Sequence, residues 1–141
     1  MKNKLILFVA LLCSACSARK QPAADCQVSP CTMEFKLITA QLISTSGTEI
    51  KFKSYKIIDV ATGKEVNNRS ELPNTQENTT VLVIADDSQL RKLADKGTDL
   101  QLQITLNDDK IIKANYKISG GKCACHVSKL EGPDQVDIDG M

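Results

Sequence analysis

The sequence predicts an all-β domain, an antiparallel two-sheet sandwich of about seven strands with one short helix. Three observations lead there. Several segments alternate apolar and polar residues with a period of two, turn-forming residues separate them at regular spacing, and a single segment carries helix signals. About 110 residues, from Cys26 to Ile138, carry this pattern, enough for one core and not for two.

Glu34 to Ile43 and Ile50 to Val60 read as strands joined across Ser44 to Glu49, with Gly47 as the turn residue. In the second, Ile50 and Phe52 face one way while Ile57 and Ile58 are adjacent, which places a bulge near Lys53 to Lys56. Lys51 and Lys53 share a solvated face that discourages edge pairing. Ala61 to Glu65 makes a turn, and Asn67 to Asn78 is a polar loop containing Pro73. Asn68-Arg69-Ser70 and Asn78-Thr79-Thr80 match the glycosylation acceptor pattern, which is too short to carry weight.

Thr80 to Ala85 is apolar on both faces, the pattern of a central strand. Asp87 to Gly97 supplies a cap residue, good helix formers and a terminal glycine, with Leu90, Leu93 and Ala94 on one side, and so predicts a short helix crossing between strands. From Asp99 to Ile118 the alternation runs twice, giving a hairpin. A two-residue turn at Asp108-Asp109 would set Ile104 opposite Lys113, charge against the apolar face. A three-residue loop, Asp108 to Lys110, instead pairs Leu106 with Ile112, Ile104 with Ala114 and Leu102 with Tyr116. Cys123 to Leu130 and Gln135 to Ile138 complete the strands, separated by Glu131-Gly132-Pro133-Asp134. With no tryptophan in the chain, an antibody-type core is excluded, and "Ig-like" describes architecture only.

The N-terminus specifies a compartment. Lys2 and Lys4 precede an unbroken apolar octet, Leu5 to Leu12, followed by Cys13-Ser14-Ala15-Cys16. The octet is far short of the roughly 20 residues that cross a bilayer, so it is an export signal. Its end resembles the lipobox of bacterial lipoproteins, with Cys13 where Leu usually stands. That resemblance implies cleavage after residue 15 and acylation of Cys16, against the plainer alternative of an ordinary secretory cut near Ala15 or Ala18. It divides the chain into a signal peptide 1–15, a lipidated cysteine with a flexible tether 16–25, and one domain 26–141. Ser17, in place of an inner-membrane-retaining Asp, implies outer-membrane sorting. Loss of Lys2 and Lys4 from the 18 basic residues leaves 16 against 17 acidic ones, so the mature chain has a net charge of −1 and no electrostatic signature of a nucleic-acid partner.

Without Cys13, cleaved away, and Cys16, acylated, four cysteines remain: Cys26, Cys31, Cys123 and Cys125. In an oxidising compartment an even set in a small domain predicts disulfides, with three possible connectivities. Cys123 and Cys125, two apart on one strand, are too far apart for an easy mutual bond. Cross-pairing follows, and an antiparallel approach would give Cys26 to Cys125 and Cys31 to Cys123. The rival is a soft metal site, zinc or cuprous copper, built from Cys26, Cys31, Cys123, Cys125 and His126. Its spacing is not that of a zinc finger, and no Cys-x-x-Cys redox motif is present.

Candidates for catalysis are few. His126 is the one histidine, and beside Cys125 on a strand its side chain would diverge from the thiol. Asp86-Asp87, Asp108-Asp109 and Asp137/Asp139 are carboxylate pairs suited to acid/base work or calcium, but each falls where turns and strand ends carry solvated acids. The reading is therefore non-catalytic, with no cofactor: a membrane-anchored module presenting loops to a protein or glycan partner, with a thiol-dependent metal or redox protein as the alternative.

Thr48 to Glu65, with Tyr55 and Thr62-Gly63, together with Cys123-Ala124-Cys125-His126-Val127 and Glu131-Gly132-Pro133, resembles small lipoproteins of the Bacteroidota type that carry a transthyretin-like or Ig-like sandwich. The resemblance spans most of the mature chain. It implies a fold and a compartment, and no activity.

Overall fold

The computed structural model describes Cys26 and residues 30–66 and 80–139. The leader, Cys16 with its tether, and the acceptor asparagines Asn68 and Asn78 lie outside the described residues. Seven strands run in order: β1 (Leu37–Ile43), β2 (Phe52–Asp59), β3 (Val81–Asp86), β4 (Thr98–Leu106), β5 (Ile111–Ser119), β6 (Ser128–Glu131) and β7 (Gln135–Asp137), with a 3-10 helix (Asp87–Lys92) after β3. They form a three-stranded sheet, β3-β1-β7, and a four-stranded sheet, β2-β4-β5-β6, the two layers expected from the alternating pattern. Ile38, Ala40 and Leu42 from the first sheet share one core with Ile57, Leu102, Ile104 and Ile118 from the second. Each layer thus buries the apolar face that its period-two pattern creates.

The antiparallel expectation holds with one exception, because β1 and β7 run parallel, Leu42 opposite Val136. The chain passes through the whole second sheet between them, and a crossover that long permits parallel neighbours.

Thr80 to Ala85 does not form a central strand. β3 lies at the edge of its sheet. The register against β1 slips between Ile38, opposite Ala85, and Thr39, opposite Val83, leaving Ile84 as the extra residue of a bulge. Ile84 and Ala85 therefore both enter the core, while Val83, outside that cluster, is buried as well at 1 % exposure, so the apolar run reflects the bulge together with cover on the other face of this edge strand. The bulge expected in β2 is present between Phe52 and Ser54. β2 is also an edge; Lys51 just before it and Lys53 within it stay at the surface in ion pairs, Lys51 with Glu49 at 2.8 Å and Lys53 with Asp109 at 2.5 Å.

The β4–β5 hairpin has the odd-length loop that the alternation demands, but two residues away from the expected register. Ile104 faces Ile112, Leu102 faces Ala114 and Leu100 faces Tyr116. Leu106 N–H donates to the Lys110 carbonyl at 2.9 Å, so the loop is Asn107 to Asp109. Asp109 takes the left-handed conformation, φ 68°, that ends a three-residue hairpin loop. A slip of two preserves which face each side chain occupies, and alternation alone does not detect it.

The expected helix over Asp87 to Gly97 shortens to Asp87–Lys92 and is 3-10 in type. Its carbonyls are used by another segment: Gly121 N–H donates to the Leu90 carbonyl at 2.7 Å and Gly120 N–H to that of Ala94 at 3.2 Å. A Cβ on Gly120 would lie 2.6 Å from the Leu90 oxygen, so only glycine lets the chain leaving β5 approach this closely.

Candidate functional site

The residues that could carry chemistry gather at one end of the sandwich, where β1 begins and β3 and β5 end. The chain reaching it from the N-terminus carries Cys26, Cys31 and Thr32, and the chain leaving β5 turns through residues 120–127 before β6. Cys123 and Cys125 do not lie on a strand as expected. They sit in this bent connection, which the Gly120-Gly121 contact to the 3-10 helix forces off the extended path.

Two disulfides fasten the segments together, Cys26–Cys123 and Cys31–Cys125, each with a Cα–Cα distance of 5.2 Å. Cross-pairing is as the sequence predicts; the partners are the opposite of the antiparallel assignment. Thr32 Oγ1 lies 2.9 Å from His126 Nε2, a contact one residue beyond the Cys31–Cys125 bond on each segment.

His126 is held from the other side as well. Its Nδ1 lies 2.6 Å from Asp87 Oδ2, with the imidazole 21 % and the carboxylate 10 % exposed. Asp87 is the first residue of the 3-10 helix but not its cap: Asp86 caps it, accepting from Ser88 N–H at 2.8 Å. Asp87 is thereby free to accept from Lys36 N–H and from Val127 N–H, both at 2.8 Å. Burial pushes the Asp87 carboxyl up. The Lys36 N–H, the His126 ring and the Val127 N–H oppose it and together hold the carboxyl below its ordinary value. One carboxylate thus ties β1's lead-in, the stapled connection and the helix start to a single point.

Thr32, His126 and Asp87 form a hydroxyl–imidazole–carboxylate relay. Nδ1–H faces the Asp87 carboxylate as a donor, and Nε2 lies within hydrogen-bond distance of the Thr32 hydroxyl. That order of groups activates nucleophiles elsewhere, where backbone N–H donors also stabilise the developing oxyanion. Here the bordering N–H groups of Lys36 and Val127 are already donated to Asp87. The relay clasps Thr32 of the N-terminal segment to the start of the 3-10 helix.

The other sequence candidates are spent on local structure. Asp137 accepts from the Thr45 hydroxyl at 2.8 Å, and Asp139 accepts from the Ser44 hydroxyl at 2.7 Å and from Ser46 N–H at 2.8 Å, so both acids hold the 44–46 turn. Asp108 closes its own turn onto Lys110 N–H. The four sulfurs of the alternative metal set are bonded in pairs, and among the described residues no group of three or more His, Cys, Asp or Glu is placed to hold a metal ion. A recess of about 330 Å³ opens near the same end, with Gln89, Leu93 and Leu100 among its walls and Asp59, Lys64 and Lys92 bringing both signs of charge.

Sequence reasoning missed the partnership of Thr32 and Asp87 with His126. The available signal was the pair of dipeptides Cys31-Thr32 and Cys125-His126, in which a bond between the cysteines brings their neighbours together. Among the described residues no helix is long and apolar enough to cross a membrane. Comparison of the chain with protein-family models, with curated proteins and with solved structures gives no match.

Proposed function

We propose that the chain is an exported, lipid-anchored envelope protein whose sandwich serves as a non-catalytic binding or structural module. The observation that carries this reading is the pair of disulfides immediately behind the tether. Cys26 and Cys31 are the first anchoring points of the domain, and both are bonded to the 123–125 connection. Such bonds persist outside the cytosol, and their position transmits any pull on the lipid into the body of the sandwich rather than into one unravelling strand. The non-catalytic part is supported by the use of each acid pair as a cap, turn or clasp.

The experiment is metabolic labelling with an alkyne palmitate followed by membrane fractionation. The wild-type chain takes the label and pellets with membranes, and C16A loses the label and moves to the soluble fraction. A wild-type chain that stays unlabelled and keeps Met1 contradicts the proposal.

A further inference from the structure

Met33, Phe35 and Leu37 follow the second staple at two-residue spacing and are 103 %, 57 % and 45 % exposed. They form the apolar concentration nearest the tether. Val60, Val81, Ile111 and Leu130 are also exposed, but each lies in a different turn or strand, and scattered single residues of this kind are ordinary.

We propose that this stripe is a membrane-contact surface, inserting Phe35 and its neighbours into the lipid surface to which the chain is attached. The inference rests on the lipid-anchor reading above. Reach is the first argument. Nine residues separate Cys16 from Cys26, and a chain of that length spans at most about 35 Å. Cys26 and Cys31 are fixed to Cys123 and Cys125, so the tether enters the sandwich at the end bearing the stripe and keeps that end within reach of the membrane.

Size is the second argument. Three such side chains, two of them about half exposed, offer on the order of 400 Å², less than the roughly 600 Å² a side at which specific protein interfaces begin. A bilayer interface requires no matching shape, and the tether makes the contact intramolecular, so weak insertion suffices. Apolar contact rather than charge drives it, consistent with a mature chain of net charge −1.

The chain contains no tryptophan, so a single introduced indole reports its own surroundings. The full chain carrying F35W is produced with export and reconstituted into phosphatidylcholine/phosphatidylglycerol vesicles containing lipids brominated near the headgroup. I111W is the comparison, because Ile111 opens β5 and lies about 26 Å along that strand from the stapled end. Non-reducing mass analysis verifies that both variants retain the two disulfides, and palmitate labelling verifies the acyl chain.

With the label present, F35W emission is blue-shifted and quenched severalfold more than that of I111W, and M33S combined with L37S reduces the quenching. Equal, weak quenching of F35W and I111W in the labelled protein overturns the insertion and leaves the anchor reading intact. An unlabelled chain overturns both.

Discussion

His126 Nδ1 lies 2.6 Å from Asp87 Oδ2, and the same carboxylate accepts the backbone N–H groups of Lys36 and Val127. Three segments distant in sequence, at 36, 87 and 126–127, therefore meet on two oxygens. Replacing Asp87 by Ala leaves three donors without an acceptor, those of His126 and Val127 partly buried. The expected cost is about 2–4 kcal/mol, read from urea unfolding under non-reducing conditions, with Asp87→Asn losing less because one acceptor oxygen survives.

The pH dependence has a definite sign. The Asp87 carboxyl is held below its ordinary value in the folded state, so its contribution is complete above the unfolded carboxylate range and is lost as pH falls through the lower folded value. Asp137 and Asp139 are lowered in the same direction, Asp137 chiefly by the Asp139 N–H and the Thr45 hydroxyl, Asp139 chiefly by the Ser44 hydroxyl and the Ser46 N–H. Acid titration of the unfolding midpoint should fall away through that window, and D137N combined with D139N should flatten the fall. An unchanged acid limb in the double variant contradicts the assignment.

The disulfides should be strongly non-additive. Either one alone closes a loop of nearly 100 residues, their sequence separations being 97 and 94, for which the chain-entropy model gives about 4.7 kcal/mol. Once one is formed, the other closes a ring of only about eight residues, for which the same expression gives about 2.5 kcal/mol. Removing one bridge by paired Cys→Ala changes should cost about 2–3 kcal/mol, and removing both about 7 kcal/mol. Equal and additive losses in denaturant melts contradict this shared-loop account.

Tyr116 is 2 % exposed, and its hydroxyl has no hydrogen-bond partner among the described residues. Burial first, and the Asp134 charge second, push its phenol up to about 12. The unfolded chain releases that proton near pH 10, so stability should decline from about pH 10 upward. Tyr116→Phe should remove this alkaline decline and leave neutral-pH stability unchanged or raised by about 0.5–1 kcal/mol. A loss of more than about 1 kcal/mol at neutral pH contradicts an unsatisfied hydroxyl.

Much of the fold was legible because its main signal is local. Leu100, Leu102, Ile104 and the alternating run of β5 declare a half-buried hairpin whatever surrounds them, and Ile57-Ile58 declares the β2 bulge. What was not legible depends on tertiary contact. The β3 bulge made an edge strand look central, and Gly120-Gly121 captured the carbonyls that a longer helix would have used. The odd hairpin loop was legible in parity but not in position, since a shift of two leaves every face unchanged. At the site, cross-pairing followed from the spacing of Cys123 and Cys125. The partner order did not, because it depends on how the bent 120–127 connection lies against the N-terminal segment, which is fixed by tertiary contacts of Gly120, Gly121, His126 and Val127.

The most direct test of the account is non-reducing peptide mapping, with alkylation of free thiols, of the chain recovered from the cell envelope. The account predicts an N-terminus at an acylated Cys16, linked peptides joining Cys26 to Cys123 and Cys31 to Cys125, and no alkylated cysteine. Alkylated thiols at these four positions, or a chain still beginning at Met1, would contradict it.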